Sequence, residues 1–274
     1  MPRATSLLAS LRRTLGAADA ANELHWLREH ALKNKLPLRP LVARRAAHEP
    51  LQYILGTQPF GNLDLVVRAP VLIPRSETEH WALRLVETRR PPAGAPRVDV
   101  LDICTGSGCI PALFAHAWPR GAASVLAVDI VPEAVALARE NTASIRSVVR
   151  VVQADIFSPD FEGLVRERIP DGVDILTANP PYISDADYAE LDRSVRDFED
   201  PRALVAGTDG LDFYPRIATL ASSLVRAGGL VAVEVGKGQS TAVESIFGSL
   251  PAVTRTEVWD DPWGIPRTVI AHFR

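Results

Sequence analysis

Between Val98 and Val235 the chain alternates short apolar runs with helix-length amphipathic stretches, and no other feature narrows its fold as much. Val98 to Cys104 is a β-type run ending at the turn Thr105-Gly106-Ser107-Gly108, and a helix follows through Ala117. Val125 to Asp129 reads as a second strand, Pro132 to Asn141 as a helix with proline in its first turn, and Val148 to Gln153 as a third strand. Val173 to Asn179 supplies a fourth strand, Leu211 to Leu224 a helix, and Leu230 to Val235 a fifth strand after Gly228 and Gly229. Parallel strands need a crossover connection, commonly one helix, so this order predicts an α/β fold with a mainly parallel sheet and helices on both faces. Two further apolar stretches between Glu257 and Phe273 are expected to close the sheet, with Pro262 and Pro266 interrupting them. Ligands on such sheets sit beyond the carboxyl ends of the strands.

Ahead of Val98 the pattern changes. Ala20 to about Ala47 is helix-like, with Leu24, Leu27, Ala31 and Leu32 on one face and breaks at Pro37 and Pro40. Gly56, Gly61 and Asn62 supply turns beside Leu63, Leu65 and Val67, which predicts a hairpin, and a helix from Ser76 to Thr88 leads to a Pro/Gly-rich hinge. The expected organisation is a helical unit over residues 1–48, a β-hairpin linker over 49–75 and an α/β domain over 76–274. The first 50 residues carry nine Lys/Arg against four Asp/Glu, a net +5 that leaves −8 for the rest. So acidic a remainder disfavours affinity built on a phosphate backbone, and no apolar run reaches the roughly 18 to 20 residues of a membrane span. Cys104 and Cys109 flank a glycine turn, a poor pattern for a bridge, and read as buried thiols in a reducing compartment. The six histidines show no paired ligand spacing, so no metal is expected. Residues 1–18 hold Arg3, Arg12 and Arg13 and no acid, which suits a mitochondrial transit segment. Leu7, Leu8, Leu11 and Leu15 at helical spacing suit a packed first helix equally well.

Three acids end three successive strands. Asp102 precedes a glycine turn that lets backbone approach a ligand closely, but the third glycine of a dinucleotide fingerprint is missing and position 111 is Pro. A carboxylate there would repel a pyrophosphate and can accept hydrogen bonds from an ammonium group, which favours S-adenosylmethionine over a nicotinamide dinucleotide. Asp129 at the tip of the second strand suits the two hydroxyls of a ribose. Asp155, followed by Ile156 and Phe157, offers a polar edge and an apolar face for adenine.

Asn179-Pro180-Pro181-Tyr182 follows the fourth strand on the same sheet edge. An Asn side-chain oxygen and a backbone carbonyl near Pro180 can both accept from one NH₂ group, while Tyr182 lies flat against the π-system bearing it. Two prolines keep that geometry rigid. Such a loop reads amides or aniline-like amines.

With these residues the chain resembles the Asn-Pro-Pro-Tyr class of amino methyltransferases, and more closely the HemK-type release factor glutamine methyltransferases. The resemblance extends through Glu49-Pro-Leu-Gln-Tyr-Ile-Leu-Gly56, Phe60-Gly61, Leu72-Ile-Pro-Arg75-Ser-Glu-Thr-Glu79 and Val195-Arg-Asp-Phe-Glu-Asp-Pro-Arg-Ala-Leu-Val205 with Gly207, Asp209 and Gly210. It implies a Rossmann-like class I methyltransferase domain that moves a methyl group from S-adenosylmethionine to the glutamine amide nitrogen of a class I peptide-release factor's Gly-Gly-Gln loop, leaving S-adenosylhomocysteine. Asn179, Pro180, Pro181 and Tyr182 would hold the amide. Asp102, Cys104, Thr105, Gly106, Ser107, Gly108, Asp129, Asp155, Ile156, Phe157 and Asn179 would meet the donor. Cys104 stands where glycine is usual, and Ile156 where an aromatic is frequent. Residues 1–48 would dock the factor, the enzyme would act as a monomer, and the Arg-rich start suggests a fungal mitochondrial member in the matrix, with the cytoplasm as the alternative. A ribosomal-protein glutamine is a rival acceptor. A nucleic-acid adenine is a weaker one, because neither a basic cleft nor a target-recognition domain is evident; a non-catalytic binding module is disfavoured by the complete Asn179 to Tyr182 loop.

Overall fold

The computed structural model describes residues 4–143, 145 and 148–274. Helices α1 (Ala4–Leu15), α2 (Ala17–Lys33), α3 (Leu38–Ala46) and the short α4 (Leu51–Leu55) open the chain, and Leu11, Leu24, Leu27, Leu41 and Ile54 meet in one small apolar core. Leu11 is fully buried there with Leu7, Leu8 and Leu15 packed around it, so the leucine stripe belongs to the folded unit. Met1–Arg3 of the candidate transit segment lie outside the described residues. Two expectations are corrected. Pro40 sits in the first turn of α3, where an N–H would have no intrahelical acceptor, and breaks nothing. Leu51, Ile54 and Leu55 pack into the helical core, so that unit runs past His48 into the segment read as linker.

The hairpin is present as β1 (Thr57–Phe60) and β2 (Leu63–Val66), and α5 (Ser76–Thr88) has the expected bounds. Phe60 and Leu65 share an apolar cluster with Trp81 and Leu85 of α5, which packs the hairpin onto the large domain. That domain contains β3 (Val98–Ile103), β4 (Ala123–Asp129), β5 (Val148–Gln153), β6 (Val173–Ala178), β7 (Val225–Glu234), β8 (Val253–Asp260) and β9 (Pro266–Phe273), joined in the order β5-β4-β3-β6-β7-β9-β8. The first five are parallel, whereas β9 runs antiparallel to both β7 and β8. Around the sheet lie α6 (Cys109–Ala117), α7 (Pro132–Thr142), α8 (Phe161–Arg168), the short α9 (Asp185–Ala189) and α10 (Arg193–Arg196), α11 (Phe213–Leu224) and α12 (Ser240–Gly248).

Side-chain alternation assigns each strand to two cores: Leu101 and Ile103 join Tyr214, Ile217 and Phe247, while Val100 joins Trp81, Leu113 and Phe114. Covering both faces explains the near-continuous apolar runs. Helices α8 and α12 are additions to the expected pattern. Each buries two anchors, Phe161 with Val165 and Val243 with Phe247, which is too few to set up a readable period. Strand β7 starts at Val225, and Gly228 and Gly229 lie inside an irregular stretch of its pairing with β6. Because β3 is flanked by β4 and β6, the chain reverses its winding direction there, and the crevice at such a switch point is where a ligand fits.

Candidate active site

A cavity of ≈ 330 Å³ occupies that crevice. Gly106, Asp129, Asp155, Ile156, Phe157 and Asn179 line it from the sheet side, and Val71 and Leu72 of the connector with Arg202 and Val205 line it from the other. A hollow of ≈ 30 Å³ adjoins it, sharing Cys104, Gly106 and Asn179 and adding Thr78, Thr105 and Ser107. The sequence-derived residues therefore converge, but not all for the reason expected.

Gly106 has φ +54, and a Cβ there would meet nothing within 4 Å, so open space faces the turn. Its N–H donates to Asp129 Oδ2 at 2.8 Å, and Asp129 Oδ1 accepts from the Val131 N–H at 2.9 Å. Burial raises the Asp129 carboxyl, opposed by these backbone donors, and each oxygen retains lone-pair capacity for a further donor. Cys104 has φ 57, a left-handed conformation that side chains rarely adopt and that glycine adopts without strain. Burial, then Asp129, Asp102 and Asp155, push its thiol well above the ordinary range. Asp155 is exposed and accepts from the Phe157 N–H at 2.8 Å, Ile156 is buried in the main core, and Phe157 meets Phe213 edge-on at 5.4 Å. Ile130, half exposed beside Asp129, adds an apolar wall that the sequence reading missed. Its signal was a large branched residue left outside a strand-end acid.

Two of the residues expected to meet the donor lie outside the walls of both cavities. Gly108 lines neither cavity: a Cβ there would lie 2.9 Å from Ala138 Cβ, so this glycine packs the turn onto α7. Asp102 is fully buried within β3, paired in register with Thr177, whose hydroxyl donates to Oδ1 at 2.6 Å. Burial pushes its carboxyl up to about 7, and it lies beneath the turn rather than in the cavity wall. Asp102 Oδ2 and Thr105 Oγ1 are both buried, and the Thr105 hydroxyl beside the carboxylate opposes the effect of burial on Asp102. The turn is also tied from behind, since Asn141 Nδ2 donates to the Ser107 and Val66 carbonyls while Asn141 Oδ1 accepts from the Val66 N–H.

At the end of β6, Asn179 Nδ2 donates to Thr78 Oγ1 at 3.1 Å, and Asn179 Oδ1 accepts from no described residue. Pro180 and Pro181 are buried, with Pro181 in the cavity wall. Tyr182, expected to lie flat against an acceptor, lines neither cavity; it packs against the main core and its hydroxyl donates to Glu234 Oε1 at 3.2 Å. Burial and that carboxylate raise its phenol far above the ordinary value. Glu234, at the end of β7, was missed in the sequence. It is buried and also accepts from the Thr78 hydroxyl at 2.6 Å and Trp81 Nε1 at 2.9 Å.

The roof is clasped to the rest. Arg75 Nη2 donates to both oxygens of the buried Glu199 at 2.8 and 2.7 Å, and the Asp200 N–H donates to the Pro70 carbonyl at 2.8 Å. Of the Arg75, Glu77 and Glu79 run, Glu79 accepts from the Gly61 N–H and Glu77 from Ser76. The whole cavity suits the donor expected: open space over a glycine turn, a strand-end acid beside it, apolar walls, and a basic residue, Arg202, already paired with Asp200 at 2.7 Å.

Comparison with known proteins agrees with this arrangement. Residues 100–169 match the Methyltransferase domain family. The N-terminal domain of human METTL16 in complex with SAH shares the fold, with TM-score 0.55 and 18% identity over 84% of this chain and 82% of that one. The release factor glutamine methyltransferase of Koribacter versatilis is 37% identical over 84% of this chain and 76% of its own length. That of Geobacter sulfurreducens is 43% identical over 93% of this chain and 90% of its own length. Similarity at that level over nearly the full length, together with a donor cavity and an Asn-Pro-Pro-Tyr loop on one sheet edge, places this chain in the release factor glutamine methyltransferase family.

Proposed function

We propose that the protein transfers a methyl group from S-adenosylmethionine to the side-chain amide nitrogen of the glutamine in the Gly-Gly-Gln loop of a class I peptide chain release factor. The observation that carries this reading is the state of Asn179: its NH₂ is committed to Thr78, which leaves Oδ1 to accept from an incoming amide at the junction of the two cavities. The bound cofactor supplies an electrophilic sulfonium methyl. An amide nitrogen is a poor nucleophile because its lone pair is delocalised, so Asn179 contributes by orienting the NH₂ group and favouring a more tetrahedral nitrogen. Catalysis of this kind is mainly positioning. No strong base is needed beforehand, since methylation makes the surplus N–H proton acidic enough to leave to water.

Mass spectrometry tests the reading after incubation with S-adenosylmethionine and, separately, a class I release factor, its Gly-Gly-Ala variant, a ribosomal-protein mixture and double-stranded DNA. Methylation of the first at glutamine alone is the expected result; methyl on DNA or on a ribosomal protein instead would overturn it. Asn179→Ala is expected to lose turnover while calorimetry still detects S-adenosylhomocysteine binding.

A further inference from the structure

We infer that Glu234, acting through Thr78, dictates which end of the Asn179 side-chain amide faces the acceptor, and that both are positioning residues for methyl transfer. The inference rests on Asn179 as the acceptor contact. An Asn amide is nearly symmetric in shape, and its oxygen and NH₂ ends exchange by a half-turn. Only the oxygen can accept from a substrate amide; the NH₂ end would set donor against donor. Something must therefore hold the amide in one of two similar states.

The hydrogen-bond order around Glu234 does so. Trp81 Nε1–H can only donate, and it donates to Glu234 Oε2 at 2.9 Å. Oε2 is therefore the acceptor when the carboxyl is ionised, and equally when its proton sits on Oε1, where the Tyr182 oxygen can take it. The Thr78 hydroxyl shares that oxygen at 2.6 Å, so its single proton is spent there. Thr78 Oγ1 can then only accept, and what reaches it at 3.1 Å must be the NH₂ of Asn179. The same carboxyl takes the Tyr182 hydroxyl on Oε1 at 3.2 Å, so two members of the Asn-Pro-Pro-Tyr loop are referred to one group. The relay is insulated: Glu234 is 1% and Thr78 2% exposed, which leaves water little access to substitute for a missing partner.

The test compares Thr78→Val, Thr78→Ser and Glu234→Gln in the full chain. Valine keeps the shape and removes the relay; serine keeps the hydroxyl. Glutamine keeps an acceptor, because Trp81 forces its oxygen toward Thr78 and its NH₂ toward Tyr182, whose oxygen can accept. Thr78→Val is expected to lower kcat for release factor at least about tenfold, with KM and the calorimetric Kd for S-adenosylhomocysteine changed less than about threefold. Thr78→Ser should recover most of the lost rate, and Glu234→Gln should stay well above Thr78→Val. A smaller drop for valine, a drop that comes with lost S-adenosylhomocysteine binding or lost cooperative unfolding, failure of serine to recover the rate, or a glutamine variant as slow as valine would each overturn the relay. A wild-type protein inactive on the release factor would instead defeat the reading of the site on which the relay rests.

Discussion

Gly106 and Gly108 stand two residues apart with positive φ and opposite duties. At Gly108 an added Cβ would lie 2.9 Å from Ala138 Cβ and 3.0 Å from Ala138 Cα, so Gly108→Ala forces α7 away in addition to straining the backbone. We expect a loss of about 2 kcal/mol or more in denaturant unfolding. Gly106→Ala meets open space and should lose only about 1 kcal/mol from its backbone, while losing donor affinity out of proportion because the methyl enters the cavity. Calorimetry with S-adenosylhomocysteine separates the two. The glycine turn was readable from sequence, whereas the division of labour within it depends on Ala138, which only the fold brings close. Glu234 was hidden for a similar reason: an acid closing an apolar strand shows its value once Thr78 and Trp81, far away in sequence, are seen to point at it.

Among elements, the connector holds the cavity together. The Arg75 to Glu199 pair joins it to the stretch before Arg202, and the Glu199 side chain is 1% exposed. Removing the arginine strands a carboxylate already raised by burial, so Arg75→Ala is expected to lower stability by about 3 kcal/mol. It should also weaken S-adenosylhomocysteine binding, since Val71, Leu72 and Arg202 share the roof. Unchanged unfolding and affinity in that variant would show the clasp to be idle. Within the charged run Arg75 to Glu79, Arg75 forms the clasp, and the uncharged Thr78 in its middle is the member that reaches the loop. Strand and helix order were readable because burial on both sheet faces writes long apolar runs. Helices α8 and α12 were not, having two anchors apiece.

For the whole molecule, the open question in the sequence was whether its basic first segment is a leader or a part. Leu11 is fully buried against Leu24 and Leu27. Deleting residues 1–15 is therefore expected to destabilise the helical unit by about 3 kcal/mol, the scale of one emptied leucine site. Limited proteolysis should show faster cleavage within residues 17–50 while S-adenosylhomocysteine binding persists. A dispensable leader would leave the cleavage rate unchanged. The thiol in the cavity wall has a consequence of another kind. A sulfur nucleophile beside a sulfonium compound invites self-alkylation, the enzyme capping its own cysteine in place of the client. Thiolate is the reactive form, and the surroundings that raise Cys104, burial first and then Asp129, Asp102 and Asp155, keep it protonated and inert. Burial of the turn, with the acids around it, thus protects the pocket from its own reagent.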